Sequence, residues 1–223
     1  MKKLKQGEFK FLKWGGARKG AGRKPKGERA GVSHMTRAKL ASKHPVHVTL
    51  RLVKGLPGLR NVTTYEVLRE AFRKGRERFG FRLVQYSVQG NHMHLIVEAK
   101  DRRALSRGMQ GLLVRVARAL NKLWKRRGRV LGDRYHDHVL KTPSEVRNAL
   151  AYVLFNIRRH GGAVKRQPDY YSSGLWFDGW KQDVTITGLA RWLRPIAHAH
   201  TWLLQKGWRK RGLISITEVP GGR

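Results

Sequence analysis

The order of hydrophobic patterns along the middle of the chain is the feature that most limits how it can fold. Val46 to Val53 alternates apolar and polar residues and predicts a β-strand, and Thr64 to Phe79 has the spacing of an amphipathic helix. Two further strands, Phe81 to Gln89 and His92 to Ala99, are joined by the tight turn Gly90-Asn91. The folded part of the chain therefore begins as strand, helix, strand, strand.

The next part of the chain adds a longer helix and a fourth strand. The apolar stripe from Asp101 to Gly128 predicts the helix, and Arg134 to Leu140 predicts the strand. Another helix spans Pro143 to His160, with Thr142 as its N-cap and Glu145 as the capping-box residue. The complete order is that of a split βαβ unit. The predicted fold class is α+β, a ferredoxin-like sandwich with an antiparallel sheet and an extra C-terminal helix.

Composition divides the chain into three parts. Residues 1–43 carry 14 Lys and Arg against 2 Glu and are rich in glycine, which predicts a basic arm that is disordered when free. Residues 44–162 form the predicted domain, and residues 163–223 form an aromatic-rich extension. Within the arm, Gly22-Arg23-Lys24-Pro25 is similar to an AT-hook that enters a minor groove. The alternative for this segment is a non-specific electrostatic tether.

The net charge of +35, from 49 Lys and Arg against 14 Asp and Glu, predicts a polyanionic partner. Nucleic acid is favoured, since each neutralised phosphate releases a counterion. The sequence has no apolar run near the roughly 18 residues of a membrane span and no signal-peptide core, so we expect no membrane association. It also has no cysteine, so a metal would need His, carboxylate, amide or carbonyl ligands.

Two histidines stand two residues apart on the predicted third strand. Alternate side chains of a strand point to the same face, so His92 and His94 point the same way, whereas Met93, Leu95 and Val97 fill the core on the other face. Two neutral imidazoles side by side make half of a metal site. The alternative is a pair of half-buried histidines that are hydrogen-bonded within a sheet.

Tyr152 and Asn156 are four residues apart on the last predicted helix. This spacing puts both side chains on one side of the helix, at the edge of its apolar stripe, from which a tyrosine can reach the adjoining sheet. The alternative is an ordinary amphipathic tyrosine with its hydroxyl group in water. Arg158 and Arg159 follow directly, and we expect them to neutralise phosphates.

Together these groups predict phosphoryl transfer on DNA. A divalent cation bound by His92, His94 and the Asn156 amide would polarise and position the scissile phosphate. The Tyr152 oxygen would attack the phosphorus and displace the 3′-oxygen, which gives a 5′-phosphotyrosine and conserves the bond energy for rejoining. The last predicted helix would then be the nucleophile helix. Tyr135 on the fourth predicted strand is the rival nucleophile.

Three segments of the chain resemble a known family. The HUH motif is similar to Gly90-Asn91-His92-Met93-His94-Leu95-Ile96-Val97. The segment between helix and strand in REP-associated tyrosine transposases is similar to Asn121 followed by Gly128 to His136. Their Tyr-x-x-x-Asn-Pro-Val-Arg helix is similar to Ala151 to Arg158, with Ile157 where relatives often have proline. These proteins are relatives of the insertion-sequence single-tyrosine transposases, and the resemblance covers about residues 45–160.

The resemblance implies a transposase that uses Mg²⁺ or Mn²⁺ to cut and rejoin single-stranded DNA beside imperfect hairpins. By residue match, His92 and His94 are metal ligands, Tyr152 is the nucleophile and Asn156 is the third ligand. The implied location is the bacterial cytoplasm, on DNA. The sequence leaves open whether the site is assembled within one chain or across a homodimer.

Two other functions fit parts of the sequence. A non-catalytic nucleic-acid-binding protein on a ferredoxin-like sheet would stack bases on aromatics such as Tyr86, but it does not need the pair Tyr152 and Asn156. A relaxase or replication initiator would use the same chemistry, but the tyrosine here follows the histidines and no helicase segment is present. We expect six other histidines to be surface or loop residues: His34, His44, His47, His160, His198 and His200. We expect four tryptophans to be core residues: Trp176, Trp180, Trp202 and Trp208.

Overall fold

The structure, a computed structural model, describes residues 38–159, 167–184 and 193–220. It has five strands in these residues: β1 Val46–Arg51, β2 Glu77–Arg78, β3 Phe81–Val88, β4 His92–Ala99 and β5 His136–Val139. They form one antiparallel sheet in the order β2-β3-β4-β1-β5. Apart from the two-residue β2, this is the strand order of a split βαβ unit. The predicted α+β, ferredoxin-like class is therefore confirmed.

The helices alternate with the strands as the hydrophobic pattern predicts. They are α1 Val62–Gly75, α2 Arg102–Leu123, α3 Pro143–Arg159 and α4 Trp202–Gln205, with 3-10 helices at Ser173–Trp176 and Gly207–Arg211. None of the helices in the described ranges is long and apolar enough to cross a bilayer. The predicted basic arm, with its AT-hook-like segment, lies outside the described residues up to position 37.

Side-chain caps decide where the helices begin. Asn61 caps α1 by accepting a hydrogen bond from the Thr64 backbone N–H, so this helix starts earlier than its apolar pattern suggests. Asp101 caps α2, as the sequence indicates, but the helix ends at Leu123 and not at Gly128. The backbone leaves helical geometry there.

The N-terminus of α3 is a capping box. The Glu145 N–H donates to Thr142 Oγ1 at 3.2 Å, and the Thr142 N–H donates to Glu145 Oε2 at 3.0 Å. The predicted start of this helix is therefore confirmed. Its continuation is not regular, because Phe155 has non-helical backbone angles (φ −119°, ψ 18°). No proline or glycine stands in α3 after Pro143, so the kink could not be expected from the sequence.

One face of the sheet packs against α1 and α2 and forms the α1–α2 cluster. Its members include Val48, Met93, Leu95 and Tyr86, which are all fully buried. The Tyr86 hydroxyl lies 2.9 Å from that of Tyr65 inside this core. A buried ring cannot stack on a base, so the structure removes the stacking residue on which the non-catalytic alternative depended.

The other face of the sheet carries α3 and the C-terminal extension, which together form the α3 cluster. Ile96 of β4 and Leu150, Leu154 and Phe155 of α3 are buried there beside Trp208. Of the four tryptophans predicted to be core, Trp208 is buried, but Trp202 is 50% exposed. The prediction for Trp208 is therefore confirmed, and the prediction for Trp202 is wrong.

Two carboxylates fasten the extension to the rest of the chain. Glu98 of β4 accepts hydrogen bonds from the His200 and Thr201 backbone N–H groups and from Thr201 Oγ1, at 2.7 to 3.0 Å. Asp169 accepts two 2.8 Å hydrogen bonds from the guanidinium of Arg60. Such charge-assisted bonds are about twice as strong as neutral ones. The extension is thus held both to β4 and to the loop that precedes α1.

Candidate active site

Strand pairing gathers histidines on the face of the sheet that carries α3. Thr49 of β1 stands directly opposite His94 of β4, and Arg51 stands opposite His92. On the other side of β1, His47 and Thr49 stand opposite two histidines of β5. Directly opposed residues of antiparallel strands point to the same face. Five histidines from three strands therefore share this face: His47, His92, His94, His136 and His138.

His94 is the buried centre of this group. Its side chain is 4% exposed, and its Nδ1 lies 3.2 Å from Thr49 Oγ1 and 3.3 Å from His47 Nε2. Its ring stacks on that of His47 at 5.3 Å and meets that of His92 edge-on at 4.9 Å. These contacts hold the imidazole of His94 in one orientation.

His47 belongs to the site, and the expectation that it is a surface or loop residue is wrong. Its position two residues before Thr49 on a strand puts both on one face, which is a signal that the sequence contains. The sequence does not, however, show that β1 pairs with β4. Burial, together with the charge of nearby His138, lowers the pKa of His47 to about 4, so its imidazole is neutral at pH 7.

His92 lies at the start of β4, immediately after the turn. Its Nδ1 lies 2.9 Å from the Asn91 side-chain oxygen, so the neighbouring amide orients this ring. Hydrogen bonds of this kind on one ring nitrogen fix the tautomer and direction of a histidine that binds metal through the other nitrogen. Both predicted ligand histidines have such a contact on Nδ1.

Tyr152 of α3 reaches the histidine group. Its ring centroid lies 5.1 Å from that of His94 and 5.7 Å from that of His47, with both rings met edge-on. Tyr152 also lines a cavity of about 830 Å³ beside the histidines. Tyr135, the rival nucleophile, instead packs against the α1–α2 cluster. The structure therefore brings Tyr152 to the histidines and directs Tyr135 elsewhere.

Asn156 is completely buried, and within the described ranges neither its Oδ1 nor its Nδ2 has a hydrogen-bond partner. An unpaired buried amide costs about 1–3 kcal/mol, so such a group in a folded protein calls for an explanation. It follows the non-helical Phe155, so Tyr152 and Asn156 are not related by an uninterrupted helical turn. In the described ranges, no group of three His, Asp or Glu side chains is arranged to hold a metal ion.

Arg158 is not available to bind phosphate, contrary to expectation. It is buried, donates hydrogen bonds to the backbone oxygens of Ile216 at 2.7 Å and Glu218 at 3.0 Å, and lies 4.0 Å above the ring of Phe155. Its guanidinium anchors the C-terminal extension to α3. The side chain of Arg159 lies outside the described part of the structure.

Comparison with known proteins gives a family match and a structural match. Residues 42–149 match the family described as transposase IS200 like. This segment contains His92 and His94, and it ends just before Tyr152 and Asn156. A search of curated proteins finds no match. Among solved structures, that of a REP-associated tyrosine transposase bound to a REP hairpin has a TM-score of 0.53 and 19% identity, and the alignment covers 70% of this chain and 96% of that chain.

The matched segment contains all five strands, α1, α2 and the first turns of α3. The solved transposase shares this fold along nearly its whole length. The predicted recognition of a tyrosine transposase is therefore confirmed, and with it the expectation of an enzyme. Just under half of this chain, residues 42–149, therefore matches the IS200-like transposase family.

Proposed function

We propose that this protein cuts and rejoins single-stranded DNA through a covalent bond to Tyr152. The observation that carries the proposal is the contact between the rings of Tyr152 and His94, 5.1 Å apart, within a fold of the IS200-like family. A tyrosine beside a histidine that belongs to a closely spaced pair on one strand is the arrangement that this chemistry needs: a nucleophile next to a group that can bind the phosphate.

His92 and His94 would hold a divalent metal ion through their Nε2 atoms, because Nδ1 of each ring is engaged by a neighbouring side chain. Asn156 is proposed as the third ligand, through its buried and unpaired amide oxygen. Two imidazoles and one amide form a neutral donor set, which suits a divalent cation that also binds an anionic phosphate. We propose Mg²⁺ or Mn²⁺, and the bound ion would polarise and orient the scissile phosphate.

The proposed covalent step belongs to Tyr152. Its phenolic oxygen forms a bond to phosphorus, and the bond from phosphorus to the 3′-oxygen of the preceding nucleotide breaks. The phenol loses its proton and the leaving oxygen gains one, so the products are a 5′-phosphotyrosine and a free 3′-hydroxyl. A phenolate is both a fair nucleophile and a fair leaving group, so a 3′-hydroxyl can reverse the step and join a strand.

The proposed substrate is single-stranded DNA that carries a hairpin. The net charge of +35 supports a polyanionic partner. The hairpin follows from the solved transposase of the same fold, which is bound to a REP hairpin. We propose that this chain likewise recognises a DNA hairpin and cuts beside it.

We also propose that one chain assembles a complete site. Tyr152 contacts both His94 and His47 of its own chain. This proximity supports attack by the tyrosine of the same chain that binds the phosphate. A homodimer would then not be needed for the chemistry.

The proposal is tested with a labelled single-stranded hairpin that carries flanking segments, incubated with the protein and Mg²⁺ or Mn²⁺. A covalent adduct on a denaturing gel is expected for the wild type and for Tyr135→Phe. Tyr152→Phe should form none while it binds the hairpin with unchanged affinity. An adduct with Tyr152→Phe, or none with the wild type, would contradict the proposal.

A further inference from the structure

The proposed chemistry assigns no role to the cavity beside Tyr152. Its volume of about 830 Å³ lies within the roughly 300–1,000 Å³ of pockets that enclose small ligands. It is bounded by β1, β5, the first half of α3 and residues 218–220. Tyr152 forms part of its wall, so a phosphate attacked by Tyr152 lies at this cavity. A nucleotide joined to that phosphate must then lie in or beside it.

The lining of the cavity suits a nucleobase. Val219, which is 43% exposed, provides apolar surface against which the face of a base can lie, and Leu140, Ala151 and Pro220 are further, buried lining residues. Asn148 stands one helical turn before Tyr152, so the two side chains share a side of α3. The amide of Asn148 is exposed and offers both donors and an acceptor, which is what the hydrogen-bonding edge of a base requires. In the part of the chain that the structure describes, this amide has no hydrogen-bond partner.

His138 adds a second polar group to the same cavity. It lies on β5 directly opposite His47, and its side chain is exposed. A histidine ring can donate or accept a hydrogen bond and can stack on a base. Asn148 and His138 therefore approach the cavity from a helix and from a strand.

The acidic residues of the cavity are already engaged. Glu145 accepts hydrogen bonds from the Lys141 N–H at 2.6 Å and the Thr142 N–H at 3.0 Å. Glu218 accepts two from the guanidinium of Arg147, at 2.7 and 2.8 Å. Both carboxylates are therefore already hydrogen-bonded to groups of the protein. A nucleotide can enter without facing an unpaired carboxylate.

We infer that this cavity is the subsite for one of the two nucleotides that flank the scissile phosphate, and that Asn148 and His138 contact its base. The inference rests on the proposed function, because it takes Tyr152 as the nucleophile. It goes further by assigning base recognition to residues outside the metal site. The identity of the nucleotide beside the cut then affects the rate of adduct formation, separately from recognition of the hairpin.

The test uses hairpin substrates in which either flanking nucleotide is made abasic. With the full-length wild type, one of the two abasic substrates is expected to form the adduct about tenfold more slowly, at unchanged affinity for the hairpin. Asn148→Ala should slow the reaction by a similar factor on the intact substrate and cause no further loss on that abasic one, because the same contact is removed twice. His138→Ala should behave in the same way.

Gln110→Ala is the matched control, because Gln110 is an exposed amide on α2, on the opposite side of the sheet. It should react like the wild type on every substrate. A wild type that is insensitive to both abasic substrates would overturn the inference, and so would an unchanged rate for Asn148→Ala. A wild type that forms no adduct at all, or an adduct that survives Tyr152→Phe, is instead a failure of the proposed function.

Discussion

The ring of Tyr152 on α3 lies 5.1 Å from the ring of His94 on β4, and the two planes are nearly perpendicular, at 81°. The two residues are far apart in the sequence, and they meet because α3 packs on the face of the sheet to which His94 points. His94 is itself held by Thr49 and His47. The site is therefore a junction of one helix and two neighbouring strands.

His94→Ala is expected to lower the rate of adduct formation by about 100-fold or more, because it removes a proposed ligand of the catalytic metal. It should also abolish the rise in melting temperature that Mn²⁺ causes in the wild type, since an ion that binds only the folded state stabilises it. The control is His198→Ala, an exposed histidine of the extension. A normal rate and a normal Mn²⁺ shift in His94→Ala would show that this residue binds no metal.

Asn156→Leu is expected to leave the free energy of unfolding unchanged or to raise it by about 1 kcal/mol, while cleavage is lost. The amide has no partner among the residues that the structure describes, so an apolar side chain of similar shape removes a buried polar group at no cost in hydrogen bonds. Asn61→Leu provides the contrast. Asn61 caps α1, so its replacement should lower the free energy of unfolding by about 1 kcal/mol. Urea unfolding measures both variants. Unimpaired cleavage by Asn156→Leu would exclude Asn156 as a ligand.

A mixture of His94→Ala and Tyr152→Phe is expected to form no adduct. Each variant lacks one half of the site, and a complete site arises only when the tyrosine of one chain serves the histidines of another. The measurement is the adduct yield of the mixture compared with that of each variant alone. Recovery of adduct to about a quarter or more of the wild-type yield would indicate that the site is shared within a dimer.

Glu145→Ala is expected to destabilise the protein by about 0.5–1 kcal/mol at pH 7, because it removes half of the capping box of α3. Hydrogen bonds from the Lys141 backbone, and then from that of Thr142, lower the pKa of Glu145 below its ordinary value of 4.5. A carboxylate with a lowered folded-state pKa stabilises the fold above its unfolded pKa, and the effect is lost as the pH falls through the folded value.

The difference in stability between Glu145→Ala and the wild type at neutral pH should therefore shrink at an acidic pH below 4.5. Thr142→Ala removes the other half of the same capping box without removing a titrating group. The loss of stability caused by Thr142→Ala is expected at neutral and at acidic pH alike. Urea unfolding at neutral and acidic pH measures both variants, and a cost of Glu145→Ala that is the same at both would contradict the assigned pKa shift.

Arg60→Lys is expected to destabilise the protein by about 1–2 kcal/mol. Lysine cannot reproduce the paired hydrogen bonds from the guanidinium to Asp169 or its position 4.4 Å above the ring of Tyr171. Arg73→Lys is the control, since its ion pair with Glu70 lies on the surface and contributes little. Equal stability of the two variants would mean that the contact between Arg60 and Asp169 does not fasten the extension.

Much of the fold could be predicted because helix and strand patterns depend on residues a few positions apart. The α3 capping box, the pattern of β4 and the split βαβ order are of this kind. The errors arose where packing overrides local pattern. Arg158, which resembles a surface phosphate ligand, is buried under the extension.

The sequence by itself determined that His92 and His94 share one face of a strand, since alternation is a property of the extended backbone. It also determined that Tyr152 lies on a capped helix and that the chain carries a large positive charge. Only the tertiary structure decided that β1 pairs with β4, which adds His47 to the site. It likewise decided that the amide of Asn156 is buried with no partner in the described part of the chain. Contacts between distant residues depend on strand register and on the packing of whole elements, and no local pattern specifies these.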